Sequence, residues 1–95
     1  MMLFMLFCND KPGHEQVRLD TREAHLEYLG GFKDRAVAVG PTLTDDGQHM
    51  NGSLLILDLA DHKEAEEFAA NDPYNKAGLF ESVTIRAWKK VIPAE

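Results

Sequence analysis

Five residues have types and positions that suit chemistry: His25, Asp72, Arg22, Ser53 and Tyr74. Histidine changes charge near neutral pH and is the natural single-residue acid or base. Wound as a helix at about 100° per residue, the segment around His25 puts Arg18, Thr21, Arg22, Tyr28, Leu29 and Phe32 within about 60° of it. His25 therefore sits near the centre of a face with apolar members, and its ring nitrogens need partners. One partner is a backbone carbonyl, which would make it a core histidine. The other is Asp72, in Asn71-Asp72-Pro73-Tyr74. Asp before Pro commonly opens a turn, and a helix C-terminus is a poor place for a carboxylate unless a donor stands nearby. A carboxylate bonded to one imidazole nitrogen fixes the tautomer and makes the other nitrogen a better base.

The remaining three would serve the ligand. Arg22 suits a substrate carboxylate, or pairs on the surface with Glu15, Asp20 or Glu23. Ser53 follows Gly52 at the mouth of a long loop, where its hydroxyl could anchor a ligand or simply begin a strand. Tyr74 could wall a pocket or pack. His14, His25, His49 and His62 are isolated, with no H-x-x-x-H or C-x-x-C spacing, so no metal and no cofactor is expected. There is no Gly-rich phosphate loop. Cys8 lies in an apolar run with no neighbouring base, which predicts an inert thiol.

The elements that must position these residues can be read in order. Residues 2–8 are a continuous apolar run ended by Asn9-Asp10-Lys11-Pro12-Gly13, a strand buried on both faces. Residues 15–34 read as a helix, weakened near its end by Gly30-Gly31, which cost up to about 1 kcal/mol each relative to Ala. Ala36–Val39 is a second strand, stopped by Gly40-Pro41. A polar loop over 44–51 holds an Asp46-Gly47 turn signal. Gly52–Leu59 is a third strand. Asp61-His62-Lys63-Glu64 forms a capping box opening a second helix with Ala65, Phe68 and Ala69 as its stripe. Asn71-Asp72-Pro73 ends it. Residues 73–81 connect to a fourth strand, where Val83, Ile85 and Ala87 alternate with Thr84, Arg86 and Trp88.

The order βαββαβ is the ferredoxin-like plan: one α+β domain over 1–95, a four-stranded antiparallel sheet with two helices on one face. A chain of 95 residues and 10.7 kDa has room for one core, with a folded surface of roughly 5,500 Å². Strands one and three are apolar on both faces, yet two helices cover only one. A homodimer with sheets packed together is the economical answer. Sixteen acidic against ten basic residues give a net charge of −6, and the longest basic run is Lys89-Lys90. Neither nucleic acid nor an anionic membrane is expected as a partner. The apolar N-terminal run has no basic flank or cleavage pattern and is far too short to span a bilayer. A single cysteine suits a reduced, cytoplasmic protein.

Taken together, Arg22-Glu23-Ala24-His25-Leu26, Gly40-Pro41, Gly52-Ser53, Asp72-Pro73-Tyr74, Ala77-Gly78 and Trp88-Lys89-Lys90-Val91 resemble, in order, the motifs of YciI-like proteins. The resemblance runs from the first strand to Val91. It implies a ferredoxin-like fold of the dimeric α/β-barrel superfamily, as a dimer or a higher oligomer built from it, with His25 and Asp72 paired in an active site. Some relatives eliminate chloride from chlorinated hydroxylated aromatics, and other dimeric α/β barrels act on lactones, quinones and polyketide rings. Two functions follow as expectations. One is a cofactor-free enzyme in which His25 and Asp72 perform acid–base isomerisation or elimination on a small oxygenated metabolite, cyclic or aromatic ones included, held by Arg22, Ser53 and Tyr74. The other is a non-catalytic ligand-binding or accessory dimeric module, with a pure dimerisation domain lacking any ligand site as a third reading. The free nitrogen of His25 discriminates them, by opening into a pocket or being sealed by backbone.

Overall fold

The computed structural model describes residues 2–93; Met1, at the head of the apolar run, lies outside the described residues. The elements are β1 (Met2–Asp10), α1 (Glu15–Gly30), a single 3₁₀ turn (Lys33–Arg35), β2 (Ala36–Leu43), β3 (Met50–Leu59), α2 (His62–Asn71), α3 (Pro73–Lys76) and β4 (Phe80–Trp88). The four strands form one antiparallel sheet in the order β2-β3-β1-β4, the ferredoxin-like arrangement. Phe4, Leu6 and Cys8 of β1 and Leu55, Leu57 and Leu59 of β3 face the helices and are buried with Ala65, Phe68, Tyr74, Leu79 and Phe80. The residues between them pair as Leu3 with Trp88, Met5 with Ile56 and Phe7 with Leu54, so they share the opposite face.

Several boundaries differ from the sequence expectation: β1 runs on to Asp10 and β3 begins at Met50, inside the expected 44–51 loop. The first helix stops at Gly30, where the chain turns through Gly31 N–H to Tyr28 O before the 3₁₀ turn. β2 does not stop at Gly40-Pro41: Pro41 pairs with Ser53 and the strand runs to Leu43. An edge strand tolerates proline because half of its amide groups need no ladder partner. The 73–81 connection contains α3, and β4 begins at Phe80.

The local signals for α2 work as read. Asp61 Oδ1 accepts from Glu64 N at 2.8 Å, and Glu64 Oε1 reaches back to Ala60 N at 2.7 Å. The β2–β3 turn closes with Gly47 at φ +73°, a conformation that favours glycine. Helix α1 is different in kind. It buries Arg18 and His25 while leaving Leu19 and Leu26 about half exposed. The helix therefore backs a site as well as the core, against which its Val17, Tyr28 and Leu29 pack.

Candidate active site

Asp72 is placed by the joint between two helices. It closes α2 and opens α3, with an extended backbone (φ −62°, ψ 127°) of the kind proline imposes on the residue before it. Its Oδ1 accepts from the Tyr74 backbone N–H at 2.9 Å. The sequence reading placed this carboxylate at the unfavourable end of the second helix. It also stands at the first turn of α3, where N–H groups point outward to meet it.

The same Oδ1 accepts from His25 Nδ1 at 2.9 Å, across 47 residues of sequence. Both side chains are nearly out of solvent. A carboxylate accepts only, so Nδ1 holds the proton, and in the neutral ring the lone pair lies on Nε2. Nε2 has no hydrogen-bond partner among the described residues. The Tyr74 ring stacks on the imidazole, 3.9 Å between centroids and 18° between planes. Carboxylate and ring thus come from one Asp-Pro-Tyr tripeptide and hold the imidazole from its edge and its face.

Two turns before His25, Arg18 is buried. Its guanidinium meets Asp10 at the end of β1 through two hydrogen bonds, Nε to Oδ2 at 2.7 Å and Nη2 to Oδ1 at 2.9 Å. Nη2 also donates to Ser53 Oγ at 2.9 Å. The Arg18 Cζ lies 4.6 Å from the Tyr74 ring centroid, a cation–π contact, so Tyr74 touches both inward polar residues of α1. Burial pushes the Tyr74 phenol up; Arg18 pulls it back and Asp72 adds to the rise. The Arg18–Asp10 pair escaped the sequence reading, although Arg18 stood on the His25 face. The available signal was the seven-residue spacing, two turns of one helix face, with an acid ending the preceding strand.

These groups line one cleft of about 330 Å³ between α1 and the β2–β3 side of the sheet. Arg18, Arg22, His25, Ser53 and Tyr74 are in its wall, with Leu26, Leu29, Val39, Pro41 and Met50. Of the residues singled out from sequence, His25, Arg22, Ser53 and Tyr74 reach the cleft directly, and Asp72 stands behind His25. Arg22 is exposed and pairs with none of its acidic neighbours among the described residues. Ser53 is buried as an acceptor from Arg18, so its own O–H remains to donate. Cys8 is buried behind the site, and burial, with Asp72 adding, pushes its thiol up to about 12. Among the described residues, no three of His, Cys, Asp and Glu converge as metal ligands, and no helix is long and apolar enough to cross a membrane.

The described fold and cleft define an α+β ferredoxin-like domain with a carboxylate-bonded histidine in the wall of an open pocket. Residues 2–89 match the YCII-related domain, and the chain belongs to that family. It is 32% identical to the protein YciI of Escherichia coli over 97 residues, covering 95% of this chain and 99% of that protein. A Haemophilus influenzae protein is 31% identical over the same span and coverage. Among solved structures, the chain is similar to the 5-chloro-2-hydroxyhydroquinone dehydrochlorinase TftG of Burkholderia phenoliruptrix AC1100, in complex with 2,5-dihydroxybenzoquinone. That similarity has a TM-score of 0.86 and 41% identity, over 93% of this chain and 94% of that one.

Proposed function

We propose that this protein is a cofactor-free enzyme performing acid–base elimination or isomerisation on a small oxygenated ring. The observation that supports it is His25, bonded to Asp72 through Nδ1 and open at Nε2 in the cleft wall. Nε2 takes a proton from the substrate and either returns it at another atom, which is isomerisation, or keeps it while the freed electron pair forms the new π bond and expels the leaving group with its own bonding pair, which is elimination. Asp72 holds the tautomer and stabilises the imidazolium that forms. Ser53 O–H and the Arg22 guanidinium bind the oxygen on which negative charge develops, and Tyr74 walls the ring. Similarity to a dehydrochlorinase seen with a dihydroxybenzoquinone favours a hydroxylated or quinoid ring. The test is chloride release from 5-chloro-2-hydroxyhydroquinone. His25→Ala should lower kcat by about 10²–10⁴-fold, the usual contribution of one acid–base residue, with KM little changed. Equal turnover by wild type and His25→Ala would remove the histidine from the chemistry.

The second part of the proposal is a homodimer through the uncovered sheet face. Leu3, Met5, Phe7, Leu54, Ile56 and Trp88 lie there. The chain exposes 6095 Å², against roughly 5,500 Å² for a folded monomer of its mass. The occupant is a second copy, because the face holds complementary charges. Asp58 shares it, with Oδ1 buried and lacking a hydrogen-bond partner among the described residues. Arg86, paired with Met5, is exposed there without an ion pair among the described residues. Sedimentation at micromolar concentration should give twice the 10.7 kDa mass; a clean monomer would refute the paired sheets.

A further inference from the structure

The cleft does not end at its apolar side. A second hollow of about 270 Å³ lies next to it, and Leu29 and Val39 belong to the walls of both. Beyond that shared wall it is an open groove lined by Phe32, Ala36 and Leu57. Lys33 is its single charged lining residue, on a flexible stem that lets the ammonium stay in water. The polar side chains of the main cleft, Arg18, Arg22, His25, Ser53 and Tyr74, line that cleft and not the second hollow. The two hollows together have a wet end at the histidine and a dry end under the start of β2.

Two small residues keep the dry end open. Gly30 lines it, and a Cβ built on Gly30 would meet nothing within 4 Å. Its backbone is helical and needs no glycine, and glycine weakens a helix. Ala36, across the hollow, is the other. A larger side chain at either position would close the space at no evident structural cost.

Resting on the reading of the cleft as the ligand site, we propose that its substrate bears an apolar substituent, a short alkyl or aryl group, seated in this annex while the oxygenated ring meets His25. A polar substituent would find hardly any hydrogen-bond partner on these walls, whereas an apolar one covers apolar surface. Gly30 and Ala36 are then specificity-determining residues: they set the length and bulk of the substituent and leave the chemistry at His25 untouched.

Titration calorimetry with 2,5-dihydroxybenzoquinone and its 3-pentyl derivative tests this. The wild-type protein should bind the pentyl compound at least tenfold more tightly. Gly30→Leu, checked for folding by circular dichroism, should bind the parent compound as wild type does and lose the preference. Ala36→Phe, filling the annex from the other side, should do the same. Equal affinity of the wild type for both compounds overturns the annex and leaves the His25 reading standing. A pentyl preference undiminished in both variants overturns it too. Failure of the wild type to bind either compound overturns the cleft reading and the annex together.

Discussion

Asp10→Ala isolates what holds the polar side of α1 against the sheet. It removes both carboxylate bonds to Arg18, at 2.7 and 2.9 Å, and leaves the guanidinium only Ser53 and the Tyr74 face. The Arg18 and Asp10 side chains are 3% and 5% exposed, so little water reaches the guanidinium in place of the lost partner. Removing one member of such a buried pair costs about 3–5 kcal/mol. A chain of this size has roughly 5–14 kcal/mol in total, so the variant loses a large share of its stability. At about 4–8 °C per kcal/mol the melting point should fall by roughly 12–40 °C. Thermal and urea unfolding followed by circular dichroism, at one fixed protein concentration, measure the fall in melting point and the loss of stability. The double variant Asp10→Leu, Arg18→Met takes out both charges and should recover most of the loss, because apolar residues of similar size replace a buried pair at little cost. A single Asp10→Ala variant within about 1 kcal/mol of wild type would refute the reasoning, since Arg18 would then have reached water.

Three other expectations are simpler. With its thiol pushed up to about 12 and buried, Cys8 should resist iodoacetamide at pH 8 in the native protein and react fully in urea; native labelling would mean the β1 face opens. Glu15, held below its ordinary 4.5 by the Met50 N–H and then by His49, should keep the β2–β3 loop fastened to α1 above that value and release it as pH falls through the lower folded value; the Met50 amide shift should follow this titration, and Glu15→Gln should abolish it. Gly52→Ala should destabilise by about 1–3 kcal/mol in the same urea assay, because the new Cβ would fall on the Cys8 carbonyl oxygen and 2.6 Å from Thr42 Oγ1; an unchanged midpoint would show that β3 moves aside freely.

The fold was legible because β1 and β3 are apolar runs of strand length, and because Asp61-Glu64 and Asn71-Asp72-Pro73 mark the ends of α2 with chemistry that works locally. Strand β2 was read short because Gly40-Pro41 stops a central strand and not an edge one, and edge position is a property of the whole sheet. For the site, helical spacing put His25 and Arg18 on one face, and the Asp-Pro-Tyr signal located Asp72. Their meeting at 2.9 Å depends on how α1 and the α2–α3 joint dock, which no local pattern encodes. The Arg18–Asp10 bond was hidden for the same reason. A charged residue on a helix usually faces water, and only the end of β1 beneath it makes the inward position tenable.

Asp72, Pro73 and Tyr74 have a consequence for the order in which this protein assembles. Their mutual arrangement involves neighbours in sequence, and proline already narrows the choices of the residue before it, so this corner can form early and on its own. The histidine it must hold is 47 residues away and arrives only when the first helix has settled on a sheet whose outer strands are paired. Contacts of such sequence separation require loops to have closed. The imidazole–tyrosine stack therefore forms only once α1 has docked against the α2–α3 joint. Partly folded chains would hold the carboxylate and the ring ready but have no base between them, which makes the stacked pair a reporter of full assembly in a refolding experiment.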